Sequence, residues 1–535
     1  MRFFDTNIHI FREKAFYISA LLVAASFPFS EALVSIFSGM LLLQALILRS
    51  WKHPDRNQRH IISLFTFLSI YAVYLIWMVN TSDVPFAFYE LKKVIFWVIF
   101  PLGVFLSPRL SRKNVYHVLV VFIIAVFVSS IISTGKLILH DYFDVFSNRT
   151  VSYISHIRFS FQIILSIIIL IWFNLSGNQS SHKYIRWGSM ALTAWFTYFL
   201  FINQSLLGII VFAGTLGLSL LYYIFRSTSF RLKLAFSIGL LVVIFVPVLY
   251  VYGILRDYYD FKPVSPETVD WKTPSGNNYE HNFQSVTREN GYLVFVYICH
   301  DELRKEWNKR SLVSYDDPVT DYPLNVVLIR YLTSLGYRKD STGVSRLTDE
   351  DISMIEQGLT NYKFKNRFFS IYPRVYETVW EIDQYLKTGD PNNKSLSQRI
   401  EYMKASVTLF RQYPVFGIGT GNAKMKYEEI YNSLNAKLRT LNTGSSHNQY
   451  LNYLVKFGLT GFFLIHIFIF LPVFKEGHQR NFILILFLVS ISIANLGDAN
   501  LESHMGLSFF TFFYSLLIWN STPQMKESDM HLPRI

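Results

Sequence analysis

The sequence holds a single cysteine, Cys299, in 535 residues. One thiol builds neither an internal disulfide framework nor a cysteine-rich metal site, so both are excluded. Cys299 reads as a small buried residue rather than a nucleophile. Charge is also scarce. Charged residues make up 16% of the chain, against about 25% in soluble proteins. In their place stand 51% hydrophobic and 17% aromatic residues, with a mean hydropathy of +0.27. Such a chain keeps much of its length in an apolar solvent, and apolar runs of about 18 residues or more read as membrane helices. A repeat of about 20–50 residues is missing too, which argues against a solenoid.

The net charge of +13 invites a nucleic-acid reading. Its distribution argues against one. Residues 253–456 hold 26 Lys+Arg and 24 Asp+Glu, leaving 24 basic and 13 acidic residues for the rest. The positive excess belongs to the apolar part, where the positive-inside rule expects it.

The pattern predicts an all-α integral membrane protein of about twelve transmembrane helices. They fall near 15–29, 31–48, 61–79, 93–107, 114–134, 159–174, 187–203, 205–225, 234–252, 457–474, 481–497 and 504–520. The first lacks a small-residue cleavage site and is read as retained rather than as a signal peptide. If spans alternate, Arg12 and Lys14, then Arg49, Lys52, Arg56 and Arg59, then Arg109, Arg112 and Lys113, share one side with Lys183, Arg226, Lys475 and Lys526. That side is the cytoplasm, with both termini on it.

The segmentation that follows is nine spans over 1–252, an outer loop over 253–456, three spans over 457–521 and a cytoplasmic tail over 522–535. A connection of roughly 200 residues is a folded insertion, not a linker. Tyr372, Val375, Val379, Ile382 and Leu386 fall at helical spacing, and a second helix is expected from Arg399 to Phe410, so the loop is mostly helical. Tyr250, Tyr252, Tyr258, Tyr259 and Phe261 suit sugar stacking and interfacial anchoring equally.

The strongest motif closes the loop. His447-Asn448 is followed by nine residues and then Gly458-Leu459-Thr460-Gly461. The His lies about 15 Å of helix before the glycines, at the outer membrane boundary. Upstream, Arg399–Asn422 reads RIEYMKASVTLFRQYPVFGIGTGN, with an Arg opening a helix and a glycine-rich turn, Gly417-Ile418-Gly419-Thr420-Gly421, closing the block. The turn lacks the strand–turn–helix context of a nucleotide loop and reads as a tight turn aiming Arg399 and His447 at the membrane. Asp349-Glu350-Asp351 has the Asp-x-Asp form of a metal site, but Thr348 before it fits a helix cap with acids in the first turn, which is the preferred reading.

These blocks resemble the O-antigen ligase family, whose hallmark is a His followed by Asn, Ser or Gln, nine residues and Gly-x-x-Gly at a late span. The resemblance covers the membrane architecture and residues 395–520; residues 255–395 carry little that transfers. It implies a bacterial inner-membrane enzyme that moves a glycan from an undecaprenyl diphosphate carrier to a hydroxyl acceptor at the periplasmic face, with inversion and with neither cofactor nor metal. The implied partners are the lipid-linked glycan, a lipid A–core or other acceptor, and membrane lipids. His447 would be the base, because an imidazole can take a proton near neutral pH. Arg399, Arg158 and the weaker candidate Arg411 would hold the diphosphate, because guanidinium binds it bidentately and stays charged. Asp498 and Glu502, in the last outer loop, would touch acceptor hydroxyls or be solvated. The sequence departs from the family at Leu206, which stands where an Arg is expected; Arg158 could supply that charge.

Lipid A–core as acceptor gives a ligase, the favoured reading. A second lipid-linked repeat gives a polymerase, and a protein Ser or Thr an oligosaccharyltransferase. A twelve-span transporter is the rival class, yet nine spans, a long loop and three more show no paired halves. A scaffold in a polysaccharide assembly complex is the third reading, and it would tolerate loss of His447.

Overall fold

The computed structural model describes residues 2–48, 58–79, 81–139, 148–176, 183–319, 322–365, 369–433, 438 and 444–520. The tail over 522–535 and the basic residues Arg49, Lys52, Arg56 and Lys526 lie outside them. Helices dominate, and the strands among the described residues are four two-residue pieces in two antiparallel pairs. Each of the apolar segments read from the sequence falls on a helix. Five helices among the described residues are long and apolar enough to cross a membrane: Arg112–Ile138, His156–Leu175, Leu206–Arg226, Phe230–Tyr259 and Gln449–Lys475. In Phe230–Tyr259, 0% of the most apolar window is buried. An apolar face that wide with no protein cover is what lipid covers. The chain is an all-α, membrane-type protein.

It divides into two compact units, residues 1–243 with 398–535, and residues 244–397. Residues 398–456, grouped with the outer loop in the sequence reading, thus pack with the apolar helices.

In the first unit the helices that carry the site are α1 (Val84–Lys93), α2 (His156–Ser176), α3 (Leu206–Arg226), α4 (Ser395–Gln412), α5 (Gln449–Lys475), α6 (Phe482–Gly497) and α7 (His504–Trp519). The segment expected to span 93–107 is the helix Phe96–Leu106, with Pro101 inside it, and a separate helix, Val84–Lys93, precedes it. α7 is buried from Met505 to Trp519. Phe509, Phe510, Phe512, Phe513 and Tyr514 make it the aromatic axis of the unit.

α5 is broken. Gly458 has φ 63°, a left-handed conformation that glycine adopts without steric cost. A break strands the carbonyls before it and the amides after it. The glycine-rich turn takes all four. Ile418 and Gly419 donate to the Val455 and Lys456 carbonyls at 2.9 Å, and Leu459 and Thr460 donate to the Pro414 and Val415 carbonyls at 2.8 and 3.1 Å. Trp77 Nε1 donates to the Phe416 carbonyl at 2.6 Å, tying the turn to the residue that follows the helix Gln58–Ile76. A Cβ at Gly458 would collide with the Val415 backbone, and one at Gly417 would lie 2.5 Å from the Lys456 carbonyl carbon. The turn is therefore a brace for the break in α5.

The second unit buries Trp307, Tyr315, Leu324, Leu328, Tyr331 and Leu332. Its Arg288–Leu293 hairpin turns at Asn290-Gly291, both with positive φ, the pair that a two-residue hairpin loop favours. Cys299 is buried, as expected. Thr348 accepts from the Asp351 amide and Asp351 accepts from the Thr348 amide, a capping box, so the Asp-x-Asp is a helix start.

Candidate active site

The residues that the sequence singled out converge on one carboxylate. Asp498 directly follows α6 and is 3% exposed. Arg158, in the first turn of α2, places its guanidinium 2.8 Å from Asp498 Oδ2. His447 Nδ1 lies 3.6 Å from Asp498 Oδ1. Arg399, in the second turn of α4, donates to the Gly497 carbonyl at 3.1 Å, one residue from the acid. Burial raises the Asp498 carboxyl, but the nearby His447 imidazole and the charges of Arg158 and Arg399 outweigh it and hold the group below the usual carboxylate range.

Local folding sets each of these positions. Asn448 is the N-cap of α5: its side chain accepts from the Leu451 amide at 3.1 Å, and its amide nitrogen donates to the Leu496 carbonyl at 3.0 Å. The cap thus starts the helix and docks it on α6, leaving His447 just outside. Tyr402 of α4 lies 5.9 Å from the imidazole, ring to ring. Asn203 donates to the His156 carbonyl at 2.8 Å and so holds the first turn of α2. Ser205 caps α3 through the Gly208 amide at 3.2 Å. The stretch around Leu206, where an Arg is expected, thereby anchors the helix that delivers Arg158.

The imidazole is 45% exposed while its carboxylate partner is buried. A proton on Nδ1 facing Asp498 leaves Nε2 as the acceptor. The arrangement is a base oriented by an acid, with two guanidinium-bearing side chains within the same group of contacts.

Three expectations change. Asp498 does not face solvent; it is the buried partner of Arg158 and His447. Glu502 is likewise internal: Lys456 Nζ bonds it at 2.9 Å, Asn452 at 3.2 Å and Tyr74 at 3.2 Å. Acids held this way are not open to acceptor hydroxyls or to water, because an unpaired buried carboxylate is too costly for the fold to leave free. Arg411 is exposed near the end of α4. At 1.5 Å per residue it lies about 18 Å along the helix from Arg399, away from the other three groups.

The sequence reading missed Lys456 and Glu90. Lys456 Nζ bonds Glu90 Oε2 at 2.5 Å and Glu502 Oε1 at 2.9 Å, and Lys93 bonds Glu90 at 2.7 Å. This buried cluster ties α1 and the 500–502 turn to the outer arm of α5. A lysine inside the apolar run YLVKFGL was the available signal, since an ionisable residue there needs a partner. Lys456→Met is expected to cost about 3–5 kcal/mol, because it leaves carboxylates buried without their cation. Thermal unfolding of the detergent-purified protein checks this; an unchanged melting temperature refutes it.

An apolar groove of about 600 Å³ runs between α3, α5 and α6. Tyr450 and Leu496 line it near the site, and Phe474 and Gln479 line it toward the other end of α5 and α6. Among the described residues, no group of three or more His, Cys, Asp or Glu is placed to hold a metal ion.

The site joins a histidine, a buried acid and two arginines on a membrane-type helical fold. The family model described as O-antigen ligase matches residues 326–466, so the resemblance read from the motifs is shown over a segment that includes Arg399, the glycine turn, His447 and both glycines of Gly458–Gly461. The chain is also similar to a Haemophilus influenzae protein described as uncharacterized, 33% identical over 174 residues. That alignment covers 32% of this chain and 41% of the relative's length.

Proposed function

We propose that the protein transfers a glycan from a polyprenyl diphosphate to a hydroxyl acceptor at the outer face of a bacterial inner membrane. The observation that carries this reading is the meeting of His447, Arg158 and Arg399 at Gly497-Asp498, beside the end of the apolar groove. His447 Nε2 takes the proton of the acceptor hydroxyl. The hydroxyl oxygen attacks the anomeric carbon, the bond from that carbon to the phosphate oxygen breaks, and the diphosphate leaves with its negative charge beside the arginines. Asp498 orients the imidazole and stabilises its protonated form. Arg399 and Arg158 stabilise the leaving charge, a contribution of about 3–4 kcal/mol per well-placed donor. The groove suits a polyprenyl tail: it is apolar, and its site end adjoins the residue before Gly497. In this reading the apolar helices form about twelve spans, residues 253–456 are periplasmic, and both termini are cytoplasmic.

Lipid A–core is the favoured acceptor, which makes the protein an O-antigen ligase. The test is reconstitution in liposomes with a polyprenyl-diphosphate glycan and three separate acceptors: lipid A–core, a second lipid-linked repeat and a Ser/Thr peptide. The expected product is glycosylated lipid A–core, formed equally with a chelator present. Product only on the second lipid carrier would make it a polymerase, and product only on the peptide a protein transferase. No transfer to any of the three would overturn the proposal.

A further inference from the structure

The unit over residues 244–397 has a polar cavity of about 360 Å³, remote in sequence from His447 and Asp498. Four separate pieces build it: the end of the Phe230–Tyr259 helix and the residues just after it, the Asn290-Gly291 hairpin, the end of the Leu324–Ser334 helix, and the turn at Tyr362–Lys363. Its size lies within the range of about 300–1,000 Å³ usual for ligand pockets.

The walls are preorganised. Asn290 donates to the Ser334 carbonyl at 2.9 Å, and the Tyr362 amide donates to Ser334 Oγ at 3.0 Å. Lys363 bonds Asp257 at 2.7 Å, and Tyr372 donates to the same carboxylate at 3.3 Å. Lys262 bonds the Tyr292 hydroxyl at 2.8 Å, with its ammonium 4.3 Å from that ring's centroid. Asp260 stands exposed in the lining.

Two acids, Asp257 and Asp260, face two lysines, Lys262 and Lys363. The balance disfavours an anion: a phosphate site carries excess cation, and here Lys363 is already matched by Asp257. The lining is too polar for a lipid chain. What remains is a neutral ligand rich in hydroxyls, which can donate to the carboxylates and accept from the ammonium groups.

We propose that this cavity is a carbohydrate subsite that binds a neutral stretch of glycan. It rests on the reading of the protein as a glycan transferase and extends it by giving the 244–397 unit a role, that of binding saccharide. Binding a part of the substrate that does not react can position the part that does.

The test uses the full-length protein in detergent and saturation-transfer NMR. The probes are two delipidated saccharides from the strain that carries the protein, its core oligosaccharide and its repeat-unit polysaccharide, with inorganic pyrophosphate as competitor. One saccharide is expected to bind: the core if the cavity holds the acceptor, the repeat unit if it holds the donor. Asp260→Ala is expected to weaken that binding about tenfold, and pyrophosphate should not displace it. Asp260 is exposed, so its replacement should leave the fold intact, and Tyr292→Phe, which removes only a hydroxyl, gives a second reading. The proposal is overturned if neither saccharide binds, if pyrophosphate displaces the saccharide, or if both variants bind as the parent does. Saccharide binding should survive His447→Ala. Normal transfer by His447→Ala alongside intact binding would sink the catalytic reading and leave the subsite standing.

Discussion

His447→Ala is expected to lower glycan transfer about 10²–10⁴-fold, the range for loss of a general base, with protein abundance unchanged. The half-exposed imidazole reports on chemistry more than on folding. Its ring lies tilted against one tyrosine, and its charged partner among the described residues, Asp498, keeps Arg158 when the ring is gone. Removing it takes away the proposed proton acceptor while leaving the helix cap at Asn448 and the brace at Gly458 in place. Surface glycan measured in cells, alongside immunoblotting of the membrane fraction, checks the expectation. Full glycan display with the alanine variant would remove His447 from the mechanism and favour a scaffold.

Arg399→Ala should reduce transfer about 10²–10³-fold, the cost of losing one donor to developing negative charge. Arg399→Lys should fall between the alanine variant and the parent, since charge survives while the fork that grips two phosphate oxygens does not. The guanidinium already donates to the Gly497 carbonyl, so its position is fixed before substrate arrives. That fixed position is what the alanine variant discards. Steady-state transfer with purified lipid-linked donor gives the comparison. If parent, lysine and alanine forms transfer equally, the diphosphate contact is elsewhere.

Much of this architecture was legible in the chain. Apolar runs locate the helices because a helix that faces lipid has no freedom to be polar. The His-Asn motif locates α5 because Asn448 caps it and Gly458 breaks it, and both functions are local. The acids were misread for the opposite reason. Asp498 draws its partners from positions 158 and 447, and Glu502 draws Lys456 from within an apolar run. Each surrounds itself with residues that no spacing rule links. The glycine turn lay between these cases. Its conformation was readable at Gly417 and Gly419, but its part in satisfying stranded groups at the break in α5 emerges only from contacts across some forty residues of chain. The role of Lys456 stayed hidden because Glu90, its counter-ion, belongs to a segment 366 residues earlier in the chain.

The braced break has an evolutionary consequence. The helix bearing Arg399 runs into the 414–420 backbone, and that backbone completes the interrupted helix that follows His447. Neither segment can be exchanged for a homologous one without the other, since the four interlocking amide–carbonyl pairs need matched geometry on both sides. Residues 395–475 should accordingly behave as a single cassette in chimaeras between relatives, inherited or transplanted whole, while the rest of the chain diversifies around it.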